Sequence, residues 1–215
     1  MTVRARLIYE KRRGACFVPH VVLADLFSRA ARRAGLRLCS TEGFSPHPKM
    51  SFGPELPAGV IALCEAVDIW LQEIPGEVPG EKNTLDTGER LVSMLNEQMP
   101  EGFHVKKCLF PTDGTLGKEC RAAHYRIWPR NSCLTEKLAA RAKSYFGGDT
   151  LLVETGADEK EALPWISLVL ADPAKNGLGG WVKTLVSEGL AAGWQDLCLA
   201  RIALGRWNGT QVEEL

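Results

Sequence analysis

Two histidines and a set of basic side chains, all within residues 1–50, carry most of the chemistry this sequence offers. His47 lies in the run Gly43-Phe44-Ser45-Pro46-His47-Pro48-Lys49-Met50-Ser51-Phe52, bracketed by two prolines. Proline fixes its own φ and pushes the residue before it out of the helical region, so the run should be extended and stiff. Such a loop displays an imidazole and an ammonium, His47 and Lys49, at low entropic cost to a phosphate, a carboxylate or a metal. The same residues equally describe a rigid turn whose histidine bonds to backbone. His20 is the other histidine of the basic half. An imidazole that titrates near neutrality can serve as general base toward a ribose 2′-hydroxyl, with arginines stabilising the charge that develops. His20 and His47 are therefore the catalytic candidates, and His104 and His124, on expected strands, read as structural.

Charge is partitioned along the chain. The totals balance at 26 Lys+Arg against 26 Asp+Glu, yet residues 1–50 hold ten basic and three acidic side chains, and residues 51–104 hold two and ten. A basic cluster is either a footprint for phosphate-bearing ligands or a solvated face that pairs internally with the acidic segment. Its core is Arg29, Arg32 and Arg33, on the polar side of an expected helix, with Lys11-Arg12-Arg13 before it. Asp25 stands one turn ahead of Arg29 and can pair with it.

At 215 residues and 45% hydrophobic, the chain is too apolar and too neutral to be disordered, and long enough for two small domains. Apolar runs such as 163–171 fall well short of the ~18 residues a membrane span needs. The basic start of the chain has no apolar core, so no secretory signal is expected and the cytoplasm is the default location. Seven cysteines are scattered without the short spacings of a zinc site or iron–sulfur cluster, so no metal or cofactor is assigned and buried, reduced thiols are expected. Gly177-Leu178-Gly179-Gly180 could offer amides to an anion but has neither P-loop nor dinucleotide spacing, and reads as a turn. The six tryptophans read as packing residues, with base stacking as the alternative.

These residues must be positioned by strands and helices whose periodicity is visible. Residues 3–10 read as a strand. Residues 22–34 have helical spacing (Val22, Leu23, Leu26, Phe27, Ala30, Ala31, Ala34) and stop at Gly35. Residues 36–39 begin a second strand and 66–71 form another; a helix from an N-cap at Thr84 ends at Pro100, and 103–110 is a strand. The second half repeats the pattern: strand 122–128, helix 134–146, strands 150–154 and 164–170, helix 181–190, strand 197–204. Each half is a βαββαβ unit, which predicts an α+β protein of two tandem ferredoxin-like domains with antiparallel sheets, 1–112 and 119–215.

Phe17-Val18-Pro19-His20, Arg29-Ala30-Ala31-Arg32-Arg33-Ala34-Gly35-Leu36 and the Gly43–Phe52 run resemble a radical-SAM-linked family of unknown function, DUF2344. Leu56-Pro57-Ala58-Gly59, followed by Glu65 and Asp68, continues the resemblance, which is specific over residues 3–71. It implies a domain fused behind a radical SAM enzyme or encoded separately, with no established reaction. On a binding reading Arg29, Arg32, Arg33 and Lys49 would contact phosphates and Phe44 and His47 would add local recognition, and Glu65 and Asp68, in register with the family, join them as binding candidates. Where the family has Ser-His-Leu-Asp, this chain has Pro19-His20-Val21-Val22, so His20 lacks the flanking hydroxyl and carboxylate. Likewise Glu42 stands in place of a glutamine. The closely spaced cysteine triplet of a radical SAM enzyme is missing from the sequence, so the resemblance implies an accessory protein without redox chemistry. The expected function is a non-catalytic, RNA-associated binding protein working with a separate radical SAM enzyme. A metal-independent endoribonuclease with a histidine base and a pure protein-interaction subunit are the alternatives.

Overall fold

A computed structural model describes residues 2–73, 84–158 and 163–215 and contains nine strands, mostly antiparallel, and five α-helices among them. The chain divides into two compact units, residues 1–53 with 65–118, and residues 54–64 with 119–215. Segment 54–64 thus groups with the second half, whereas the sequence reading kept it in the first domain.

In the first unit, β1 (Val3–Lys11) leads through a 3-10 turn to α1 (His20–Arg33), followed by β2 (Met50–Phe52), β3 (Ile61–Leu71, within this unit from Glu65), α2 (Thr84–Asn96) and β4 (Phe103–Leu109). A short helix, α3 (Leu116–Glu119), lies at its end. The strand order is β4-β1-β3, with β2 on β3. β4 runs antiparallel to β1, and β2 antiparallel to β3. Strand alternation puts Ala5, Leu7 and Tyr9 of β1 and Val67, Ile69 and Leu71 of β3 in one buried cluster with Leu23, Phe27 and Ala31 of α1 and Leu91 and Leu95 of α2. Burial of such side chains stabilises by roughly 1.5–3 kcal/mol each.

α1 ends as its sequence dictates. Gly35 takes φ +76°, Leu36 N–H donates to Ala31 O and Gly35 N–H to Arg32 O, and Leu36 is buried. This is the glycine-dependent Schellman closure. The strand expected at 36–39 does not form. That stretch makes only isolated bridges, Leu38 to Leu71 and Ser40 to Pro48, and the second strand lies inside the Pro/Gly-rich segment, at 50–52. Proline at 46 and 48 forbids ladder donors there, so regular pairing begins only after Lys49. The stretch that joins the two expected domains is fastened: the Arg4 guanidinium donates to the carbonyls of Pro111, Asp113 and Gly114, and Leu116 is fully buried.

The second unit carries β5 (Ala122–Pro129), α4 (Thr135–Phe146), β6 (Thr150–Ala157), β7 (Pro164–Ala171), α5 (Leu178–Ser187), β8 (Leu197–Trp207) and β9 (Val212–Glu214). Its strands order β8-β5-β7-β6, with β9 on β8. The opening of β3 also belongs here, pairing parallel to β8 at Ile61–Ala62. Tyr125, Ile127, Leu138, Ala142, Ile166, Leu168, Trp181 and Leu185 are buried. β9, which no alternation foretells, docks where Gly205 meets the Glu213 carbonyl so closely that a Cβ would collide with it.

Candidate functional site

The Pro-His-Pro-Lys run forms one arm of a small hairpin in the first unit. Thr41 N–H donates to His47 O at 2.7 Å, His47 N–H to Thr41 Oγ1 at 3.1 Å, and Lys49 N–H to Cys39 O at 2.7 Å. Below them Cys39 N–H donates to Trp70 O, and Trp70 N–H to Lys49 O, so the hairpin is tied to β3. Stiffness at the prolines and backbone bonds at the base together present the tip, residues 42–46, to solvent. Phe44 is completely exposed there, and Gly43 takes φ +126° to turn the chain. The exposed His47 ring has one near neighbour, Ser45 Oγ at 3.4 Å from Nε2. Lys49 extends its ammonium over the Trp70 ring, 5.1 Å from the centroid, a cation–π contact that holds the charge beside an aromatic surface.

Next to the hairpin base, Arg32, Leu36, Arg37, Leu38, Ser40, Pro48 and Gln72 line a groove of about 420 Å³. The structure therefore joins the last turn of α1 to the Pro-His-Pro-Lys loop, two features separated in sequence. Gln72 Nε2 donates to Leu38 O and fixes the groove floor. Arg37 pairs with Glu73 at 3.3 Å, with both side chains more than 60% exposed, so the pair is screened and easily opened.

The two accounts of the basic cluster are each true in part. Arg6–Asp68, Arg13–Glu101 and Arg37–Glu73 join the basic segment to the acidic one, and Arg33 Nη2 donates to Gln98 O at 2.6 Å. Arg29 and Arg32, by contrast, are exposed and have no ion-pair partner among the described residues; the expected Asp25–Arg29 pair is not formed.

Glu65 and Asp68 do not join this group. Both are buried in β3, and Asp68 accepts a two-pronged bond from Arg6, Nε to Oδ1 at 2.7 Å and Nη2 to Oδ2 at 3.0 Å. An aspartate consumed this way organises the sheet and is withheld from a ligand. His20 opens α1 with its ring edge-on to Phe52 at 5.5 Å, and Phe52 meets Phe27 at 5.9 Å. An aromatic ring, where the family has a flanking carboxylate, orients His20, and the two histidines occupy separate features: one a helix start, the other a hairpin tip.

Cysteine burial is narrower than expected. Cys16, Cys64 and Cys120 are buried, Cys39 and Cys108 half-buried, and Cys133 and Cys198 exposed. His104 is exposed on β4, while His124 of the second unit is half-buried, its Nε2 2.6 Å from Ser167 Oγ. Burial, and then the neighbouring Arg126, push the His124 imidazole from 6.5 down to about 4. The unfolded chain accordingly takes up a proton near pH 6.5 that the folded chain refuses until about 4. Stability should be complete above pH 6.5, fall as pH is lowered toward 4, and level off below that. Urea midpoints measured between pH 7 and pH 4 should show that fall, and His124→Gln should flatten it.

Trp70, Arg37 and Gln72 are the site residues that sequence reading passed over. Trp70 was visible only as a strand residue; what signals its role is that it pairs with the segment containing Lys49, which periodicity cannot reveal.

Among known proteins, no curated protein matches this chain. The solved structures similar at low level include these two. One is an unknown protein from Galdieria sulphuraria, 13% identical, covering 95% of this chain and 98% of its own, with a TM-score of 0.27. The other is described as a "putative glycine cleavage system transcriptional repressor", 7% identical, covering 94% and 99%, with a TM-score of 0.26. Scores of this size carry no inference about fold or activity. No helix among the described residues is long and apolar enough to cross a membrane. The profile of an uncharacterized protein conserved in bacteria, DUF2344, matches residues 4–167, most of the chain and all of the hairpin and groove: the protein belongs to the DUF2344 family.

Proposed function

We propose that this chain is a non-catalytic accessory protein that binds single-stranded RNA through the groove and hairpin of its first unit, in the cytoplasm, and works with a separate radical SAM enzyme. The radical SAM partner rests on the resemblance in the sequence alone. Both units are read as ferredoxin-like domains, a reading supported by two βαββαβ successions with matching strand orders. The observation that carries the RNA reading is one surface combining a groove that holds the exposed Arg32 with displayed aromatics. Arg32 lines the groove, Arg29 lies one turn earlier on the same helix, Lys49 rides on Trp70, and Phe44 and His47 stand on a tied hairpin. Cations along a groove track phosphates and exposed rings stack on bases, which is how sequence-tolerant single-strand binding is built.

The test is titration of labelled cellular small RNA with the full chain at low and moderate salt. Binding should weaken steeply with salt. Arg29→Ala/Arg32→Ala should reduce the slope of log K against log salt by about 2, one for each lost phosphate contact. That pair is preferred to Arg33, which is already bonded to Gln98. No binding at low salt overturns the RNA reading and leaves a protein partner to be sought. Accumulating cleavage products that vanish in His47→Ala would replace it with the endoribonuclease.

A further inference from the structure

The second unit has chemistry that the groove and hairpin do not use. Along β5, His124, Arg126 and Trp128 alternate with the buried Ala123, Tyr125 and Ile127, so they project from one face of the sheet while the core residues project from the other. On β7 the register brings Ser167 opposite Arg126, and Trp165 lies two residues along on the same face. On β6, Glu154 stands opposite Ser167 and Gly156 opposite Trp165. Thr155 between them bonds to Glu136 of α4, which confirms that Glu154 lies on the face away from that helix.

Three contacts make this face a rigid one. The Arg126 guanidinium lies over the Trp165 ring, 4.1 Å from its centroid. The indole in turn covers Gly156, where a Cβ would collide with it. Trp128 is pinned by its own N–H, which donates to Asp158 Oδ2 at 3.1 Å. Among the described residues Arg126 has no carboxylate partner, and its Nε is buried without a hydrogen-bond acceptor. Burial of that Nε against the tryptophan costs solvation that no acceptor among the described residues returns. A ligand that stacks on the guanidinium or accepts from its outer nitrogens would return it.

We propose that this face is a second single-stranded RNA contact, in which a base stacks on the Arg126–Trp165 pair and a neighbouring base on Trp128; the inference rests on the RNA reading of the first unit. Stacking rings on the central strands of a four-stranded sheet is a known solution for holding unpaired bases. Charge argues for the bases as the groups that face this surface. Glu154 and Asp158 repel phosphates along β6, while a carboxylate such as Glu154 accepts from an exocyclic amino group. Oligonucleotides of A or C should therefore engage the face better than oligo-U.

The experiment uses the full chain, a labelled single-stranded 12-mer of mixed sequence and homopolymers of A, C and U. Trp165→Ala and Arg126→Ala should each weaken binding about tenfold, the effect of one lost stack. Ultraviolet crosslinking of the unaltered chain should label peptides containing Trp128 or Trp165. The crosslink needs no substitution, so it decides the matter even if a variant fails to fold. Crosslinks confined to residues 20–50, with both variants binding as tightly as wild type, overturn this inference and leave the first-unit reading standing. Wild type that binds no single strand at all overturns both.

Discussion

Asp68→Ala should cost about 3–5 kcal/mol of folding stability, because it removes the carboxylate that takes a two-pronged bond from a buried guanidinium in the first unit. Arg6 and Asp68 are each about 2% exposed and meet through two bonds of 2.7 and 3.0 Å, so water cannot replace the lost carboxylate. Removing both charges is a different matter. Arg6→Met/Asp68→Leu removes both members of the pair together and should recover part of the loss, since well-packed apolar replacements of buried pairs are often neutral. Urea unfolding followed by circular dichroism checks both, with an unchanged m-value showing that stability alone moved. The same variant decides what Asp68 is for. Folded Asp68→Ala should bind RNA as wild type does; a binding loss without a stability loss would restore it as a ligand residue.

How much of this was legible beforehand depends on the range of the interaction concerned. The helix carrying Arg29 and Arg32 was readable because apolar spacing and Gly35 are local, and its end is closed by bonds within five residues. A strand with clean alternation, such as β5, was readable for the same reason. The second strand was not: prolines at 46 and 48 hide three pairing residues behind a segment that reads as pure loop. Nor could the sequence distinguish Asp68 from a displayed carboxylate, since its partner Arg6 lies 62 residues away and only strand pairing brings them together. The basic segment likewise had to be sorted residue by residue. Arg13 and Arg37 are paired and Arg33 is bonded, whereas Arg29 and Arg32 are not, a division that depends on where 73, 98 and 101 fall in space.

Phe27→Ala and Phe44→Ala should separate stability from function. Phe27 is 1% exposed and central to a run of edge-on rings, Tyr9 at 4.9 Å on one side and Phe52 at 5.9 Å on the other. Truncating it opens a cavity beneath α1 and should cost about 3–5 kcal/mol. The loss should also reach His20, whose ring packs edge-on against Phe52. Phe44 is 112% exposed at the hairpin tip, touching nothing that stabilises the fold. Its truncation should shift stability by no more than about 0.5 kcal/mol. If bases stack on it, RNA affinity should drop by roughly 1–3 kcal/mol. Thermal unfolding and RNA titration of the two variants should therefore give opposite patterns. A Phe44→Ala protein that binds RNA like wild type removes the hairpin tip from the site and confines binding to the arginine groove.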